Sequence, residues 1–211
     1  MNETQAETRV TLGREGVAEW EEKKSVFIGR ANPVSTEEEA LAYIKEIRSR
    51  FSDARHNVWA YRMQGDAAMR CSDDGEPQGS AGVPVLEALR KSGVSDAVVV
   101  VTRYFGGILL GAGGLVRAYS RAAKLAIDEA GIVTREKCAV WETVCSYSDH
   151  GKVLAELPKF GALAGQTTFA ENVTLQFTVR AEAEKGLLAR LREMSGGTAV
   201  LRKVGETFLS V

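Results

Sequence analysis

The chain has 211 residues, 45% of them hydrophobic and 26% charged, with a formal net charge of −1 at pH 7. This balance excludes wholesale disorder and any global attraction to nucleic acid. Its longest wholly apolar run, Ala97–Val101, falls far short of the ~20 residues of a membrane span, so no membrane partner is expected.

In chain order, residues 3–22 are polar and acidic, with strand character only at Arg9–Leu12. Lys24–Ala31 alternates and reads as a strand, broken by Asn32-Pro33-Val34. Ser35 or Thr36 caps a helix whose first turn is Glu37, Glu38 and Glu39 and whose last turn holds Arg48 and Arg50, the signs the helix dipole favours. Its apolar stripe is Ala40, Leu41, Ile44, Ile47 and Phe51. Val58–Arg62 is a strand, Gly65-Asp66 a turn and Ala68–Cys71 a short strand. The polar loop Ser72–Gly82 leads into a helix over Val83–Lys91, with Pro84 in its first turn. Ala97–Thr102 reads as a strand buried on both faces. A second glycine-rich loop, Arg103–Gly114, opens a helix from Leu115 to Ala130 that Gly131 stops.

A second pattern follows. Cys138–Ser146 is a strand, and Ser148-Asp149 caps a helix that runs to Leu157. Ala162–Ala170 and Val173–Arg180 form a hairpin around Glu171-Asn172. Glu182–Met194 is a helix with Leu187, Leu188 and Leu191 on one face, and a last strand runs from Ala199 to Leu209. The order β-α-β-β-α-β is ferredoxin-like. The expected class is α+β in two domains, 1–134 and 136–211.

The two glycine-rich loops invite a nucleotide-binding reading, which their details oppose. Gly106 and Gly111 have P-loop spacing, but Ala112-Gly113 stands where Lys-Ser/Thr is needed. Gly111-Ala-Gly113-Gly-Leu-Val116 starts like a dinucleotide fingerprint, yet Val116 replaces its third glycine. Two readings remain for Gly106, Gly107, Gly111, Gly113 and Gly114: helix–sheet packing too close for a Cβ, or a helix start that receives an anion.

Charge is segregated. Residues 1–22 hold six acids and two bases, whereas residues 97–127 hold no acid but contain Arg103, Arg117, Arg121 and Lys124. The last three share one helical face. That stripe is either a solvated surface or, with Arg103, a patch for RNA phosphates without DNA sequence specificity. Asp73, Asp74 and Glu76 lack calcium-loop spacing and fit turn chemistry, or pairing with Arg103 or Arg117, as well as a metal. His56, Cys71 and Asp73 are conceivable as a thiol site, but no nucleophile signature surrounds Cys71. Trp20, Trp59 and Trp141 read as core or interface anchors and His150 as a surface residue. The odd count of three cysteines, without metal-ligand spacing, reads as reduced thiols. No secretory leader is expected, since no basic start runs into an apolar stretch.

The stretch Ser72-Asp-Asp-Gly-Glu-Pro-Gln-Gly-Ser-Ala-Gly82, followed by Val99–Tyr119, closely resembles the IMPACT/YigZ family over residues 18–130. Within it, Asp73, Asp74, Gly75, Glu76 and Pro77 form the family-motif loop. Many relatives carry a cysteine after the His-Asn pair, where this chain has Val58. The resemblance implies that the first domain has the fold of the fourth domain of elongation factor G and the second resembles that factor's ferredoxin-like fifth domain. It also implies a link to translation, since the eukaryotic members are translation regulators that compete for a scaffold activating a stress kinase. The expectation is a cytoplasmic, non-enzymatic regulatory protein, without catalytic residues, cofactor or metal, that contacts RNA or the ribosome. The alternatives are a protein-interaction module and an enzyme using Cys71 with His56 or a metal at Asp73, Asp74 and Glu76.

Overall fold

A computed structural model describes residues 7–66 and 68–210. The chain divides into two compact units, one of residues 9–134 and one of Arg135 onward joined by Glu7 and Thr8.

In chain order the first unit contains most of β1 (Thr8–Leu12), then β2 (Gly16–Glu22), β3 (Ser25–Pro33), α1 (Glu37–Arg50), β4 (His56–Arg62), β5 (Met69–Ser72), α2 (Gly82–Lys91), β6 (Ala97–Tyr104) and α3 (Gly111–Ala130). Strands β2-β3-β6-β4-β5 form an antiparallel sheet in that order. The apolar run lies at its centre. Ala97, Val99 and Val101 face α2 and α3, while Val98 and Val100 face α1 with Ala40, Ile44 and Ile47. Val98–Val101 are fully buried, each burial contributing about 1.5–3 kcal/mol.

Thr36 is the N-cap of α1, its side chain accepting from the Glu39 N–H, and the Glu39 carboxylate accepts in turn from the Ser35 N–H. The buried stripe is narrower than the sequence suggests, because Leu41 is 45% exposed. Strand β2 goes unseen in the sequence because Val17, Glu19 and Glu21 face water while small Gly16 and Ala18 alternate with them. Strand β3 continues through Asn32 to Pro33, which pairs with Ala97 at the strand's last position, where a missing N–H is tolerated. Helix α3 begins at Gly111, one turn before the expected Leu115.

Helix α3 rests on β2 and β3 at a distance set by glycine. A Cβ on Gly16 would stand 2.3 Å from the Ala126 carbonyl oxygen, and one on Gly29 would stand 2.4 Å from that of Ala122. Ala118, Ala122 and Ala126 supply the small helix face that meets them.

The second unit contains most of β7 (Ile132–Cys145), then α4 (Tyr147–Glu156), a 3₁₀ turn at Leu157–Phe160, β8 (Leu163–Phe169), β9 (Val173–Arg180), α5 (Ala181–Met194) and β10 (Val200–Ser210). The antiparallel order β10-β7-β9-β8 is ferredoxin-like. Helices α4 and α5 bury Val153, Leu187, Leu188 and Leu191 against Leu175, Phe177 and Val179. The cap of α4 is Ser146, rather than Ser148-Asp149. The chain is therefore α+β, with two antiparallel sheets.

Replacing Gly29 by Ala is expected to lower stability by about 2–3 kcal/mol, because the obstructing atoms are backbone. An unchanged denaturant midpoint would contradict the close approach of α3.

Candidate nucleic-acid interface

The three acids of the loop after β5 meet different partners. Asp73 accepts from the N–H groups of Gly79 (2.8 Å), Ala81 (3.0 Å) and Gly82 (2.8 Å), closing the loop onto the start of α2. Burial raises its pKa, but these three bonds outweigh burial and hold it below the usual carboxylate value. Asp74 accepts from the Asn57 N–H at 2.7 Å and from Arg48 at 3.0 Å, and its carbonyl oxygen lies 2.8 Å from His56 Nδ1. Glu76 is buried, and its Oε1 accepts from Arg103 at 2.5 Å and from the Tyr119 hydroxyl at 2.8 Å. Burial and the neighbouring Glu76 push the Tyr119 pKa up strongly, so this hydroxyl stays a donor. The carboxylates thus diverge, and among the described residues no cluster of three or more His, Cys, Asp and Glu side chains could hold a metal ion.

Nor do His56 and Cys71 meet. Cys71 pairs with Ala60 across the β4–β5 ladder, four positions and roughly 13 Å along the strand from His56. Burial, aided by Asp73, raises the Cys71 pKa, which disfavours the thiolate.

The basic stripe is redistributed. Arg103 does not join it. Its side chain is 7% exposed, paired with Glu76, and its guanidinium lies 5.4 Å from the Phe27 ring and 5.6 Å from the Phe105 ring. Its loop position in the sequence hides that it is the seventh residue of the central strand, facing inward. Lys124 pairs with Asp128 at 2.7 Å on the surface. Arg117 and Arg121 are exposed and form no ion pair among the described residues. Arg121 lies 5.4 Å over the Trp20 ring, so that tryptophan, read from the sequence as a core or interface anchor, sits beside a cation.

The glycines separate into two groups. A Cβ on Gly106 would stand 2.0 Å from the Lys24 backbone, and one on Gly114 3.0 Å from Leu110 Cβ, so these two serve packing. Around Gly107 and Gly111 there is open space, and both have positive φ. At Gly113 a Cβ would meet only Arg117 Nη1, at 3.8 Å. Packing therefore does not explain Gly113, which sits in an exposed helical first turn. That turn has no side-chain cap and no acid, so its N–H groups are open to an anion.

Two cations that the sequence reading passed over lie at this end of the unit. Lys23 and Lys24 form the β2–β3 turn, with φ of +47° and +65°. The Gly106 contact places this turn against the loop before α3. A two-residue turn with both φ positive favours Asn-Gly, so the lysines cost the fold about 1–2 kcal/mol. The signal available in the sequence was Lys-Lys between two alternating runs. Arg55 is exposed nearby, as are the apolar side chains of Phe105, Ile108 and Leu109.

Comparison with known proteins places this end in context. Residues 23–127 match the Impact N-terminal domain, and residues 143–198 match a domain of unknown function, DUF1949. The chain is 37% identical over 188 residues to IMPACT family member YvyE of Bacillus subtilis, covering 89% of this chain and 87% of that protein. The chain belongs to the IMPACT family. IMPACT family member YigZ of Escherichia coli is 33% identical, over 87% of this chain and 92% of its own. Mouse Protein IMPACT shares 31% identity over 43% of this chain and 30% of its own length. A crystal structure of a hypothetical protein superposes with a TM-score of 0.64 at 30% identity, covering 94% of this chain and 98% of that one. The Impact N-terminal match takes in Lys23, Glu76, Arg103 and the start of α3, so the whole cationic end lies inside the family domain.

Two outcomes test this geometry. Asp73→Ala should destabilise the protein by about 1–2 kcal/mol at pH 7. Because the folded carboxyl is depressed, the deficit should be full above about pH 4 and vanish as pH falls through the folded pKa. A deficit equal at pH 7 and pH 2.5 would contradict the capping role. The pair Lys23→Asn and Lys24→Gly should raise the melting temperature by about 2–4 °C. A fall in melting temperature would show that the lysines are not strained.

Proposed function

We propose that this IMPACT family member is a cytoplasmic, non-enzymatic, translation-linked regulator that contacts RNA or the ribosome through the cationic end of its first unit. The contacting groups are Arg117, Arg121, Lys23, Lys24 and the open N–H groups of the first turn of α3, with Gly107, Gly111 and Gly113 admitting close backbone approach. The observation that carries the reading is Arg117. Its guanidinium lies back over Gly113, so a cation and an uncapped helix N-terminus address the same point. Phosphate suits both, as a charge-assisted partner for the guanidinium and an acceptor for the N–H groups. The absence of acids from residues 97–127 supports this.

Arg117 and Arg121 are solvated, so removing them should change stability by no more than about 0.5 kcal/mol. Arg117→Ala with Arg121→Ala should weaken binding to single-stranded RNA uniformly across sequences. Each lost phosphate contact should lower the slope of log affinity against log salt by about 0.7–0.9. Unchanged affinity and slope would remove α3 from the interface.

A second reading rests on the apolar tip of the same end. Leu109 is 83% exposed, beside exposed Phe105 and Ile108, as a protein-docking surface would require. It gains ground if Leu109→Asp abolishes a cellular interaction that the Arg117/Arg121 variant retains.

A further inference from the structure

Behind the apolar tip the first unit contains a cavity of about 340 Å³ lined by Arg55, His56, Glu76, Arg103, Phe105 and Leu109. Its polar groups have an uneven hydrogen-bond inventory. The Asp74 carbonyl oxygen, 2.8 Å from His56 Nδ1, can only accept, so Nδ1 carries the ring proton. In the neutral ring Nε2 is then an acceptor, and among the described residues it makes no hydrogen bond. It lies 3.8 Å from Glu76 Oε1, which already accepts from Arg103 and Tyr119. Glu76 Oε2 accepts nothing among the described residues. Arg103 points its Nη1 at Glu76 Oε1 and its Nη2 at Ser25 Oγ, and its unpartnered Nε is sealed from solvent. Two acceptors without a donor among the described residues, Oε2 and Nε2, thus belong to side chains of the inner wall. The exposed Arg55 supplies a cation at the mouth, and the Phe105 ring, 45% exposed, supplies an aromatic surface.

We infer that this cavity takes a guanine base, stacked on Phe105, with its N1–H and N2 amino group donating to Glu76 Oε2 and His56 Nε2. Of the four RNA bases, guanine alone offers two adjacent donors on its Watson–Crick edge. Adenine and cytosine set an acceptor beside their amino group, and uracil flanks its one donor with acceptors, so each would face the wall with a mismatched lone pair. The guanine O6 is an acceptor that suits the Arg55 cation. Unstacked bases read on this edge and stacked on an aromatic ring are the general mode of single-strand RNA recognition. The inference deepens the RNA reading and rests on it for the source of the base. The same chemistry would equally hold a free guanine nucleotide.

The test is calorimetric titration of the full chain with guanosine monophosphate and adenosine monophosphate. In a second arm, uridine octamers are compared with and without one central guanosine. The expected result is guanosine monophosphate binding at least about tenfold more tightly than adenosine monophosphate. Phe105→Ala, an exposed position that does not threaten folding, should weaken guanosine monophosphate about 5- to 50-fold. Glu76→Gln should abolish the guanine preference, but it also strands Arg103, so Phe105→Ala carries the decision. A guanosine-bearing octamer that outbinds plain uridine identifies RNA as the source. Equal octamers with selective guanosine monophosphate identify the free nucleotide. Equal affinity for the two monophosphates, or no effect of Phe105→Ala, overturns the inference. In that case salt-dependent RNA binding through Arg117 and Arg121 still stands or falls on its own variant.

Discussion

One carboxylate organises the first unit. Glu76 leaves the loop after β5, enters the interior and accepts from Arg103 on β6 and Tyr119 on α3. A buried carboxylate without partners would cost several kcal/mol, so the loop, the central strand and the helix must reach it together. Removing either ionic partner would leave the other buried and uncompensated, at a cost of about 3–5 kcal/mol. The two stretches that carry the family resemblance are thus joined by a single acceptor, although 27 residues separate Glu76 from Arg103.

This pairing decides which cations stay open to solvent. Arg103 is neutralised inside, and Lys124 has Asp128 on the surface. Arg117 and Arg121 are left open, joined by Lys23 and Lys24 from the hairpin turn. The glycines at 16 and 29 let α3 settle close to β2 and β3. Its first turn is thereby held on rigid elements rather than on a free loop. The open glycines at 107, 111 and 113 then expose backbone donors, which no packing requirement explains.

Much of the architecture was legible in the residues. The run Ala97–Val101 announced a central strand, the acids after Thr36 a helix start, and the β-α-β-β-α-β order a second sheet with its own helices. What escaped has physical causes. Strand β2 hid because acids occupy its solvent face and glycine and alanine lie under α3. The first turn of α3 hid because glycine is a poor helix former, and tertiary placement overrides that preference. Pairing of Arg103 with one of the acids at 73, 74 and 76 was legible as an alternative to the RNA patch, but spacing alone does not choose between the two. Lys23 and Lys24 were overlooked because a strained turn lacks the Asn-Gly signature of a favourable one.

The central claim is that phosphate is received at the start of α3 and the β2–β3 turn. The most direct measurement is a titration of isotope-labelled protein with a single-stranded RNA octamer, followed by amide chemical shifts. The account predicts the largest changes at Gly111, Gly113, Gly114 and Arg117, with Lys23 and Lys24 next, all diminishing as salt rises. Changes confined to residues 135–210, or none at low salt, would contradict it.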